Sequence, residues 1–414
     1  MDNINKNPLV PLNNKRLEYL LELYGLSNQQ FLKLININQN NLPRKRPLFT
    51  EETLNIALKE TMKIPLYTVK AIDKVFNKGL LWYITARPLS KSESSSIFFR
   101  KNKFNSELNL QSKKVTNNFE KKKFEIQNLC ASIDFDPKRN LKTHILSENP
   151  RQIANEFRKE FKIIETRLIK NKRLKKPTKE REYLRNLMTV IEDYNIFVFE
   201  FIENHNQKEV VNFDGFFMSP NVIVVKKQYY PKREIFTLLH EFAHYLLNIE
   251  EIDEINEKTN LTSNLHERWC NDFVYYFLIE EQDEFINKLE LATPKNNYYK
   301  YELTELAKSS LISVSSLYTR LKILNKIDGQ TYYKIMLDIT EMANKKRIEE
   351  KARNKEEREK QKALGNLGGF AIKPIQSNLF KEVVKFNYFQ GNISENTLCK
   401  YLRIRPESIQ KEIY

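Results

Sequence analysis

The chain has 414 residues, 41% apolar and 12% aromatic, with a formal net charge of +16, which is enough apolar material for more than one core. Its three scattered cysteines, Cys130, Cys270 and Cys399, exclude a disulfide framework. No apolar run reaches the ~18 residues of a membrane-spanning helix, and MDNINKNPLVPLNNKRLEYL lacks a secretory signal's apolar stretch. The expectation is a cytoplasmic protein in a reducing compartment, with no membrane partner.

Residues 15–85 read as helical, from apolar spacing in RLEYLLELYGLSNQQFLKLI and in TEETLNIALKETMKIP. Gly25 would end one helix and Ser27 would cap the next, with Ile35 and Ile37 on the packed side, the outline of a small helix-turn-helix. Such helix pairs occur with and without DNA. The basic block PRKRP offers Arg44, Lys45 and Arg46 as weak candidates for phosphate contact, although short basic runs are commonly just solvated.

Residues 86–190 read as a basic, mostly helical region. SSSIFFRK (94–101) is an apolar-aromatic island within it. Between Arg158 and Arg185 twelve Lys or Arg face four Glu, a balance of +8. A solvated helix face and a surface for nucleic acid or an acidic partner both fit that balance. Next come two β-branched and aromatic runs, NIFVFEFIE (195–203) and NVIVVKK (221–227), which predict strands. Gly215 in NFDGFF between them marks a turn or bulge. A helix follows at once, so the fold class is α+β and mostly helical. Beyond residue 300 helices resume; MANKKRIEEKARNKEEREKQK (342–362) is charged throughout and predicts a solvent-bridging helix or linker. GNLGGF breaks it before a small C-terminal appendage. The predicted segments are therefore 1–85, 86–190, 191–340, 341–363 and 364–414.

REIFTLLHEFAHYLLNIEEI (233–252) contains H-E-x-x-H. On a helix His240 and His244 lie one turn apart and can face one ion, while Glu241, one step around, can reach a metal-bound water without being a ligand. The bland alternative is two chance histidines on an amphipathic helix. A catalytic zinc site needs a third protein ligand. NLHERWCNDFVYYFLIE (264–280) supplies Glu267, with Asn271 on the same face and placed to accept from a ligand imidazole. His266, Glu250 and Glu251 are the rival ligands.

Together DGF, VIVVKK, REIFTLLHEFAH and ERWCNDFVYYFL resemble the ImmA/IrrE family of zinc metallopeptidases. Arg233, Phe236 and Thr237 match that family's lead-in, His240, Glu241 and His244 its zinc motif, and Glu267, Asn271 and Phe273 its second helix. The resemblance covers about residues 195–285. It implies a small zincin-like core, a short sheet packed on the HExxH helix, with helical N- and C-terminal domains, zinc as cofactor and Glu241 as catalytic base. It also implies a protein substrate, a helix-turn-helix transcriptional repressor of a mobile element, prophage or stress regulon, and it fits an N-terminal helix-turn-helix. By analogy, substrate would lie along an edge strand near Asn221–Lys227. Glu280 stands where the family often has proline, and Val274-Tyr275 replaces a small pair, which leaves substrate choice open. Tyr275, Tyr276 and His266 are candidates for stabilising the transition state. The alternative function is a DNA-binding regulator or scaffold with a structural zinc. The activating trigger and the oligomeric state are not encoded in any motif found.

Overall fold

The computed structural model describes residues 8–40, 47–76, 78–89, 108–203, 210–250, 265–364 and 373–413. Arg44, Lys45, Arg46, Glu251 and the 94–101 island lie outside them. Contacts divide the chain into two compact units, Met1–Asn118 and Phe119–Tyr414.

In the first unit, capping chemistry sets the helix ends. Asn13 accepts from the Arg16 amide at the start of the helix Asn14–Tyr24, and Gly25, at φ 57°, ends it. Ser27 and Gln30 cap the helix Asn28–Asn40 reciprocally: Ser27 Oγ accepts from the Gln30 amide at 3.3 Å, and Gln30 Oε1 from the Ser27 amide at 2.9 Å. Phe31 and Ile35 are fully buried there with Tyr24, Phe76 and Tyr83. One stretch departs from the helical expectation. The helix Glu51–Lys59 stops early, and β2 (Met62–Pro65) pairs antiparallel with β1 (Leu9–Leu12). The pairing partner lies 50 residues away in sequence, beyond the reach of local periodicity.

The second unit is built on a three-stranded sheet in the order β3-β5-β4, of Phe197–Phe201, Val222–Lys226 and Gly215–Met218. β3 runs parallel to β5 and β4 antiparallel to it. Every residue of the three strands is buried, so they read as continuous apolar runs rather than alternating ones. Val198, Phe217, Ile223 and Val225 face one core with Ile235, Leu238, Leu239 and Phe242 of the HExxH helix, Pro231–Leu247. On the opposite face Phe119 stands 6.0 Å from the rings of Phe199 and Phe216, and Phe380 5.7 Å from Phe199.

Helices Pro150–Lys170 and Glu180–Glu192 belong to the same core. Phe157 and Phe161 each pack 5.4 Å from Phe242, and Phe161 packs 5.5 Å from Phe277 in the helix Leu265–Ile279. The C-terminal residues do not stand apart as an appendage either: the Ile375 carbonyl accepts from the Glu200 amide of β3 at 3.0 Å. Buried Asn387 donates to the Leu129 carbonyl at 2.8 Å. Among the described residues no helix is long and apolar enough to cross a membrane.

Candidate metal centre

The HExxH helix opens with Pro231 at its first turn and closes on Asn248 in the left-handed conformation. Every residue from Thr237 to Leu247 is buried. Histidine and glutamate rarely fill such positions unless something holds them there. His240 Nε2 and His244 Nε2 lie 3.1 Å apart. The two oxygens of Glu267, from the neighbouring helix, complete a triangle: Oε2 is 3.1 Å from His240 Nε2 and Oε1 3.1 Å from His244 Nε2. Among the described residues these three form the single group whose donor atoms converge closely enough for one ion.

The donor set fits zinc. Two neutral imidazoles and a carboxylate are a recognised catalytic zinc set, and bonds of about 2.0–2.1 Å in a tetrahedron place ligand atoms about 3.3 Å apart. The imidazole nitrogens are 3.1 Å apart and each is 3.1 Å from a different oxygen of the Glu267 carboxylate, contacts that approach that spacing. Of the rival ligands, Glu250 is turned away, its carboxylate accepting from the Ser219 amide between β4 and β5. His266 is half-buried on the helix of Glu267 and outside the converging group.

Glu241 is 5% exposed and packs against β4. A Cβ built at Gly215 would fall 2.7 Å from Thr237 Cγ2 and 3.0 Å from both Glu241 Cγ and Oε1. Gly215 is therefore the first residue of a strand rather than a turn or bulge. Its hydrogen leaves the room that the Glu241 side chain occupies. Arg233 Nε donates to Asp214 Oδ2 at 2.9 Å, tying the start of β4 to the start of the HExxH helix.

Three expectations change. Within Asn221–Lys227, β5 (Val222–Lys226) is the central strand, paired on both sides, so its backbone has no edge for a substrate. Asn271 is half-buried and its side chain makes no hydrogen bond among the described residues, so no link to a ligand imidazole is present. The Tyr275 hydroxyl proton is committed elsewhere, and the Tyr276 hydroxyl oxygen is held by an arginine. Tyr275 donates to Asp283 Oδ1 at 2.9 Å, and Tyr276 accepts from Arg320, whose guanidinium also meets Asp272 at 2.7 Å.

Sequence reasoning missed the ion cluster beneath the helix's first turn. Arg181 donates to both oxygens of Glu234 at 3.0 Å and to Glu200 Oε2 of β3 at 2.7 Å, with both carboxylates fully buried. Burial first, and Glu200 second, push the Glu234 carboxyl up to about 8, so this pair shares a proton at neutral pH. The available signal was a glutamate inside the otherwise apolar FVFEF, since a buried charge requires a partner.

No curated protein and no solved structure matches the chain significantly. Residues 191–322, which contain the sheet, the HExxH helix and Glu267, match the family described as the IrrE N-terminal-like domain.

Proposed function

We propose that the protein is a zinc-dependent endopeptidase that cleaves a specific protein, with His240, His244 and Glu267 as zinc ligands and Glu241 as general base. The observation that carries the reading is the convergence of His240, His244 and Glu267, each imidazole nitrogen 3.1 Å from the other and from one oxygen of the Glu267 carboxylate, with an acid one helical step away and packed against Gly215. Zinc held by these residues would supply Lewis acidity, lowering the pKa of a bound water and polarising the scissile carbonyl. The remaining steps belong to the chain. Glu241 accepts a proton from the attacking water and delivers it to the leaving amine, so one carboxyl serves as base and then as acid. Its side chain packs against Gly215, which confines it, and the Arg233–Asp214 pair ties together the strand and helix that make that contact.

The substrate class we propose is a helix-turn-helix transcriptional repressor of a mobile element, prophage or stress regulon, on the strength of the family alone. Metal analysis together with cleavage tests the enzymatic reading. About one zinc per chain is expected, lost in His244→Ala and retained in Glu241→Gln, with cleavage abolished in both. A purified chain without zinc would contradict the proposal.

A further inference from the structure

Away from the metal centre, the second unit has an open cleft of about 650 Å³ between the turn after the helix Pro150–Lys170, the helix Glu180–Glu192 and the C-terminal segments. Six cations line it: Arg173, Lys175, Arg185, Lys373, Lys381 and Arg403. They come from stretches of chain as far as 230 residues apart, so the fold, not a local basic run, assembles them. Arg173 pairs with Glu382 at 2.8 Å. Lys175, Arg185, Lys373 and Arg403 form no ion pair among the described residues.

Gathering like charges around a concave surface costs folding free energy and focuses a positive potential there. Outside the lining, the Lys122 ammonium is lowered to about 8, chiefly by burial and to a lesser degree by the Arg403 charge. The one acid in the lining does not cancel that potential. Glu192 accepts from the Asn378 amide at 3.0 Å, and burial raises its carboxyl to about 8, which leaves it protonated at neutral pH. Leu174, Met188 and Leu402 give the cleft apolar walls between the cations.

We propose that this cleft binds a small molecule bearing a di- or triphosphate, such as a nucleotide. Arginine forks and lysine ammonium groups are the protein's standard partners for phosphate oxygens. The volume suits a mononucleotide, within the usual range of about 300–1,000 Å³ for small-ligand sites. The apolar walls offer a place for a base. Such a ligand would bridge the 173–185 stretch to the 373–403 stretch and stabilise the unit on binding. This inference is independent of the peptidase reading.

The test is calorimetric titration of the full chain with ATP, with pyrophosphate and with a single-stranded oligonucleotide, at about 0.15 M salt. Saturable binding of ATP or pyrophosphate is expected, with a matching rise in Tm. Arg185→Ala and Lys373→Ala, both at exposed positions, should each weaken it about tenfold, while their ligand-free Tm stays at the wild-type value. Binding of ATP and pyrophosphate alike would place recognition in the phosphate chain; ATP alone would add the base. No saturable binding of either, affinities unchanged in both variants, or binding of the oligonucleotide alone would overturn the proposal.

Discussion

The HExxH helix Pro231–Leu247 and the helix Gly329–Ala363 both carry many charged or titratable residues, and they accommodate them in opposite ways. In the first, 17 residues long, Glu234, His240 and His244 are enclosed and each meets a specific neighbour, Glu234 meeting Arg181 and the two histidines Glu267, while Arg233 near its start is exposed. In the second, 35 residues long, charges face solvent along most of the length and pair along the helix, as Glu356 does with Lys360 at 2.8 Å. Enclosed charge has to be organised by tertiary structure, because desolvation makes each unpartnered group costly. Exposed charge needs only water and its own helix. Charge on a helix therefore marks a candidate site where it is enclosed and a solvated rod where it is not.

The largest effect separating the two is expected from Arg181→Met. It leaves Glu200 and Glu234 buried without their shared cation, and breaking a buried pair costs about 3–5 kcal/mol. Denaturant unfolding measures it, and a loss below 1 kcal/mol, the level of an exposed pair, would erase the contrast. Next comes Gly215→Val, which drives a side chain into Thr237 and Glu241. Overpacking of this kind costs about 1–3 kcal/mol. Cleavage should fall further than stability does, because Glu241 is displaced directly; a variant with wild-type cleavage would show that the contact does not position the base.

A pH prediction sharpens the same contrast. Glu234 and Glu192 titrate near 4.5 in the unfolded chain and near 8 in the fold, so between those values the folded state holds more protons. Their contribution to stability is complete below about pH 4.5 and fades as pH rises to about 8, by at most about 1.4 kcal/mol per pH unit for each group. Glu234→Gln should flatten the unfolding free energy across that window by one group's share; an unchanged slope would contradict a shared proton. The smallest effect is that of Glu356→Ala, about 0.3–0.5 kcal/mol, diminishing with salt.

What was legible in the sequence follows the range of the interaction that determines it. Gly25, Ser27 and Gln30 act within one or two turns, and the helix boundary they set was readable directly. His240, Glu241 and His244 are a single-helix pattern. Glu267 was reachable because the i, i+4 spacing with Asn271 marked one face, but Asn271's expected bond is absent from the geometry. Strand order was not readable: β5 looks like β3 in composition, and only long-range pairing makes it central. The same holds for Tyr275 and Tyr276, whose hydroxyls are claimed by Asp283 and by Arg320, the latter 44 residues on. The basic 158–185 stretch concealed an apolar stripe, Phe161, Ile164 and Leu168, that belongs to the core. Net charge carries no information about which face of a helix is covered.

The most direct test of the proposed peptidase compares new protein N-termini in cells expressing the wild type and Glu241→Gln. The account predicts a dominant new N-terminus that appears with the wild type alone and maps to a helix-turn-helix repressor. Identical N-termini in the two, under growth, DNA-damage and phage-challenge conditions with zinc bound in both, would contradict it.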